Sequence, residues 1–129
     1  MSVSSGHEYL KEHEIGGAVL LLDVDKESSE VLAAAKAATV GHAARTLVKD
    51  GPLRSIILGF RAGAALRDHQ APGPVSIHVL SGEVNVTSTG RTDSLGSGRA
   101  IAFGSPVSHS VEARQDSVVL VTIAISNPD

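Results

Sequence analysis

Two histidines carry the chemistry this chain could perform. His69 follows Gly63 after five intervening residues, and His109 comes 40 positions later on a separate strand-like run. Between them lie the tight-turn run Ala71-Pro72-Gly73-Pro74 and the run Val75-Ser76-Ile77-His78-Val79-Leu80, which ends at Ser81-Gly82. Imidazoles set in short strand-and-turn sequence are what a small β-barrel uses to bring side chains together in its interior. Imidazole is also a ligand for Fe, Mn, Ni, Cu or Zn. The remaining histidines read differently. His7 and His13 fall in a polar terminus, and His42 and His78 read as surface or interface residues. With strand period two, Val75, Ile77 and Val79 share one face, and Ser76, His78 and Leu80 the other. His78 is therefore expected to point away from the interior. Asp68 and Gln70 flank His69 and are expected to alternate away in the same manner.

The elements that must position these residues are short. Residues 1–14 are polar without an apolar period and read as a flexible N-terminus. Residues 15–41 read as a strand plus a helix appended to the main body. Val19 to Val24 is the expected strand, being short and apolar with β-branched ends. The helix is expected from about Lys26 to Thr39, rich in Ala, with Asp and Ser for capping and Gly41 to end it. From His42 onward short runs alternate with Gly, Pro, Asp and Ser. Arg45 to Lys49, Leu53 to Arg61, Val75 to Leu80, Glu83 to Ser88, Arg91 to Leu95, Ala100 to Phe103, His109 to Ala113 and Ser117 to Ile125 are the expected strands. That rhythm predicts an all-β sandwich or barrel over residues 42–129.

Composition narrows the function classes. A chain of 129 residues is one domain, long enough to bury a core without disulfides. Aromatics make up 2% and Trp is absent, so the core is aliphatic and there is no platform for base stacking. Net charge is -3 with no basic cluster, which argues against a nucleic-acid partner. Cys is absent, which excludes thiol chemistry. The run Ala18 to Leu22 is too short to span a bilayer and too late for a signal peptide, so no membrane association and a cytoplasmic location are expected. There is no Gly-x-Ser-x-Gly elbow and no phosphate-binding loop. Arg54, Arg61 and Arg99 could meet an anion.

The stretch from Gly63 to Ala113 resembles the cupin superfamily, single-domain jelly-roll β-barrels. The first cupin motif runs Gly, five residues, His, one, His, three or four, Glu, six, Gly. Here Gly63, His69 and Gly82 match it, but the second His position holds Ala71 and the Glu position Val75. The second motif runs Gly, five residues, Pro, one, Gly, two, His, three, Asn. Gly98 and His109 match, Gly104 and Pro106 exchange order, and the Asn position holds Ala113. The resemblance implies a cupin-type jelly-roll β-barrel, and with the helix read from the residues the expected class is all-β with one N-terminal helix.

It also implies a degenerate metal site. A typical cupin holds its metal on three His and one Glu, and two of those four positions remain, His69 and His109. His78 is a weaker candidate ligand. Two functions follow as expectations. One is binding of a small molecule in the barrel without a complete metal site. The other is a metal-dependent dioxygenase- or isomerase-like enzyme, with a divalent transition metal on His69 and His109. The expected cavity residues are His69, His109, Val75, Ile77, Phe103 and Val111, with Leu66, Val79 and Leu120 completing the wall. Similar proteins pair, so a homodimer is expected. The run Val118 to Ile123, apolar on both faces, suits either a core or an interface.

Overall fold

The computed structural model describes residues 19–104 and 107–125, with backbone alone at Asp68 and His69. One helix, α1 (Val24–Ala37), precedes nine strands: β1 (His42–Asp50), β2 (Leu53–Phe60), β3 (Ala65–Gln70), β4 (Val75–Ser81), β5 (Glu83–Ser88), β6 (Arg91–Gly96), β7 (Ala100–Phe103), β8 (Ser108–Ala113) and β9 (Ser117–Ala124). They form two antiparallel sheets. One has the order β1-β2-β9-β4-β7 and the other β3-β8-β5-β6. The mostly-β class and the antiparallel jelly-roll arrangement are those the sequence predicts.

Alternation along the strands builds the core between the sheets. Val75, Ile77 and Val79 of β4 face Val84 and Val86 of β5 and Val111 and Ala113 of β8 in one apolar cluster. β4, β5 and β8 each place their buried residues at every second position, the parity of one shared face. The second face of the five-stranded sheet is also covered. There Ile57, Leu47, Val48 and Val118 pack with Val31 of α1 in a second cluster. The architecture is thus helix, sheet, sheet. The run Val118 to Ile123 is apolar on both faces because β9 lies between β2 and β4 with apolar clusters on either side. That run forms core within one chain.

Two glycines allow the close approaches in this arrangement. At Gly59 a Cβ would stand 2.6 Å from the Val31 carbonyl oxygen, so only glycine lets α1 lie this close to β2. At Gly82, φ is +89° and the chain leaves one sheet for the other between β4 and β5. A Cβ there would stand 2.2 Å from Ser117 Oγ and 2.5 Å from the Asp116 carbonyl. The left-handed turn and the space both demand glycine.

Charge fastens the helix to the sheet. Arg45 of β1 is buried beneath α1 and donates from Nη1 to Glu27 and, at 2.8 Å, to Glu30. At the far end Arg61 donates to the carbonyls of Lys36 and Ala38, both at 3.2 Å. A cation on the last helical carbonyls also suits the helix dipole.

Three expectations need correction. Val19 to Val24 is not a strand: residues 19–23 are irregular and Val24 opens the helix. Leu20 and Leu22 pack against the helix-side cluster while Leu21 is exposed, so the alternation is real but has no ladder partner among the described residues. The helix begins earlier than Lys26 because Asp23 caps it, accepting a hydrogen bond from the Lys26 backbone at 3.1 Å. It ends at Ala37, and Gly41 (φ +81°) turns the chain into β1 instead of closing the helix. Finally, β3 has no counterpart among the expected strands. Its sequence Ala-Leu-Arg-Asp-His-Gln lacks β-branched residues, and pairing with β8 on one side alone makes it a strand.

Candidate functional site

The β3–β8 ladder brings the two site histidines together. Register pairs Leu66 with Val111, then shifts by one residue before pairing His69 with His109 and Gln70 with Ser108. The shift is a bulge in β3, the kind of irregularity that re-aims side chains near a site. His69 and His109 therefore occupy directly opposed backbone positions. The ring of His69 lies outside the described residues. His109 is 3% exposed, and its Nδ1 lies 3.3 Å from the Val107 carbonyl. The Phe103 ring stacks on it, with centroids 5.1 Å apart and planes inclined by 12°.

A cavity of about 270 Å³ opens between the sheets at this end of the barrel. Its wall from the five-stranded sheet is aliphatic: Ala44, Ile56, Leu58, Val75, Ile77, Val119, Val121 and Ile123. The facing wall comes from Leu66, Gln70, Val111 and His109, with Ala71 and Pro72 after β3. His109, Val75, Ile77, Val111 and Leu66 thus stand on the cavity. Phe103 does not line it. It lies behind His109 and borders an open groove of about 490 Å³ between β6 and β7, with Arg91, Asp93 and Ile101. Val79 sits fully buried in the core beyond the cavity. Leu120 faces the helix-side cluster, because neighbouring residues of β9 alternate between the two faces.

Gln70 departs from its expected orientation. As the last residue of β3, just past the bulge, it lines the cavity while remaining exposed. His78 is exposed on β4, as the alternation requires. Pro106 and the Asp68 side chain fall outside the described residues. Arg61 is engaged at the helix terminus, and Arg54 donates to the carbonyls of Gly51 at 2.7 Å and Leu53 at 3.0 Å. Arg99 is exposed and is not a cavity residue.

Among the described residues, the donors at the site do not make up a metal's usual shell. Among the described residues no group of three or more His, Asp or Glu side chains could hold a metal ion. The two positions where the resemblance would place ligands, Ala71 and Val75, line the cavity with hydrocarbon.

Solved structures share this architecture. A conserved protein of unknown function from Streptococcus pyogenes superposes with a TM-score of 0.67 at 19% identity, over 86% of this chain and 91% of that one. An RmlC-like cupin from Desulfovibrio desulfuricans superposes with a TM-score of 0.61 at 27% identity, over 64% of this chain and 81% of that one. The fold is a cupin barrel. Other cupin-fold neighbours are enzymes. Salicylate 1,2-dioxygenase from Pseudoaminobacter salicylatoxidans matches with a TM-score of 0.67 at 22% identity, over 78% of this chain and 32% of that one. No family model and no curated protein matches this sequence. No helix among its described residues is long and apolar enough to cross a membrane.

Proposed function

We propose that this cupin binds a small molecule in its barrel cavity without a complete metal site. The observation that carries the reading is the cavity wall. Ala71 and Val75 contribute hydrocarbon at the two positions where a cupin of the usual kind has donors, and the rest of the wall is overwhelmingly aliphatic. Concave sites lined by apolar side chains with one or two polar groups are what small organic ligands occupy. The role is that of a sensor, carrier or accessory protein. Action in the cytoplasm as a homodimer belongs to the same proposal. Because β9 is consumed in the chain's own core, a dimer would have to pair through another surface.

The opposed positions of His69 and His109 favour a second reading, a metal-dependent dioxygenase- or isomerase-like enzyme with these two as ligands. The dioxygenase above and a DMSP lyase from Ruegeria pomeroyi, at 22% and 20% identity, lend this reading their fold only. Elemental analysis of untagged protein after gel filtration separates the two. The first reading expects no stoichiometric transition metal, even after incubation with each ion. Stoichiometric Fe, Mn, Ni, Cu or Zn that disappears in His69→Ala/His109→Ala would replace it with the second. The same gel filtration, with light scattering, reads the dimer.

A further inference from the structure

The aliphatic side chains that the five-stranded sheet gives to the cavity fall in three ranks across the strands. Register joins Ala44, Leu58 and Val119 in one rank, Ile56, Val121 and Ile77 in the next, and Ile123 and Val75 in the last. From Val119 to Ile123 the strand advances about 13 Å. Spread over that length, the cavity volume of about 270 Å³ leaves a mean cross-section of about 20 Å². That is room for one hydrocarbon chain lying along the strands, and not for two abreast. Leu66 and Val111 supply hydrocarbon from the facing sheet. The two ends of this slot differ. At one end the turn carrying Ala71 and Pro72 sits against the end of β9, where the Ala124 backbone donates to the Pro74 carbonyl at 3.1 Å. Gly73 lets the turn lie there, since a Cβ would stand 1.8 Å from the Ala124 carbonyl oxygen. Gln70, just before that turn, lines the cavity and is exposed to water. At the other end Ala44 is the smallest residue of its rank, and the next inward position along β2 is the fully buried Phe60.

Resting on the reading that the cavity binds a small molecule, we propose that its occupant is a straight-chain aliphatic compound. The chain lies along the strands across the three ranks. Its methyl end reaches Ala44, and its head stays in water beside Gln70. Affinity therefore comes from methylenes removed from water, and the head's own chemistry contributes little. A methylene takes about the space of a water, about 30 Å³, so the slot of about 270 Å³ holds roughly nine carbons. Ala44 sets that length, because any larger side chain there would occupy the end of the slot. It is a specificity-determining residue that no cupin motif position marks.

The test uses the straight-chain alcohols from 1-butanol to 1-dodecanol, which share one head, and 1-adamantanemethanol, which packs a similar hydrocarbon volume into a ball. Binding is followed by titration of the methyl NMR signals of the cavity Val, Ile and Leu residues. The dissociation constant is expected to fall about fourfold with each methylene until roughly nine carbons, and then to stop falling. The adamantane alcohol is expected to bind about tenfold more weakly than 1-nonanol, because a close-packed slot does not widen to take it. Ala44→Leu is expected to lower the limit by about three carbons and Ala44→Val by about two, the carbons each adds to the slot. Ala44 is half-buried, and the valine variant keeps the test open if the leucine variant does not fold. Affinity flat along the series, or still rising at 1-dodecanol, overturns the fitted chain. The adamantane alcohol binding as tightly as 1-nonanol overturns the extended shape. A limit unmoved by either variant overturns the placing of the methyl end at Ala44. Each of these leaves the cavity reading standing. Failure of every probe to shift the cavity methyls overturns the cavity reading, and this inference with it.

Discussion

If Ala71 and Val75 are the lapsed ligand positions of a metal barrel, restoring donors there should restore metal binding. The variant is Ala71→His/Val75→Glu. Both residues border the same cavity as His109, and Val75 is only 5% exposed. Without metal the variant loses the burial of the Val75 side chain, about 1.5–3 kcal/mol, and places a carboxyl where no cation stands. Burial raises that carboxyl's pKa, and the variant should be clearly less stable than the parent at neutral pH. Metal then acts by mass action on the folded state. At a concentration 100 times its dissociation constant it returns about 2.7 kcal/mol, or about 10 °C in melting temperature for a domain of this size. The assay is thermal unfolding with and without Mn, Fe, Ni, Cu or Zn, beside the parent, whose melting temperature should not move. Ala71→His alone, at a half-buried position, covers the case in which the double variant does not fold. A folded variant with no metal-dependent gain for any ion would refute the reasoning, since its added donors would not share a point with His109.

Four further outcomes test the frame around the site. Gly82→Ala should cost at least about 3 kcal/mol in urea unfolding, combining left-handed strain with a backbone clash, whereas Gly63→Ala, at φ +87° with open space, should cost only about 1–2. Thr89 holds φ +47° beside Gly90 in the two-residue turn between β5 and β6, so Thr89→Asn should raise the unfolding free energy measured in urea by about 0.5–1 kcal/mol. Arg45→Met should cost about 3 kcal/mol, near the low end for breaking a buried ion pair because the Glu30 side chain is 32% exposed; a loss below about 1 in urea unfolding would mean that packing alone holds α1. The Asp116 carboxylate accepts from the Ala62 backbone at 2.8 Å and lies near Lys36 and Arg61, which together hold its pKa below the ordinary value. Its stabilisation is therefore complete above about pH 4 and is lost as pH falls further, through the depressed folded value. Urea midpoints of Asp116→Asn should accordingly fall less steeply with acid than those of the parent.

What could be read from the residues followed the physics of each segment. Strands with a buried face were legible because a two-residue period has one solution once a side is covered. Ala100–Phe103 has the expected bounds, and His78 is exposed as its parity demands. Local signals failed where a distant contact decides. Val19 to Val24 has strand composition, but no described strand pairs with it, and Asp23 starts a helix within it. The sequence of β3 is poor in strand formers, and its pairing with β8 arises across forty residues of chain. The same pairing hid the most consequential feature of the candidate site. Counted from Leu66 on the cavity wall, a regular strand would turn position 69 to the opposite face, and the bulge between Leu66 and His69 carries no turn residue to announce it. That single inserted residue sets His69 opposite His109. Side-chain chemistry at this site is therefore set by backbone register, and register belongs to the pair of strands and not to either sequence alone. A change that removed the extra residue would turn every later side chain of β3 to the opposite face. It would thereby alter the cavity's polarity without substituting any residue that lines it.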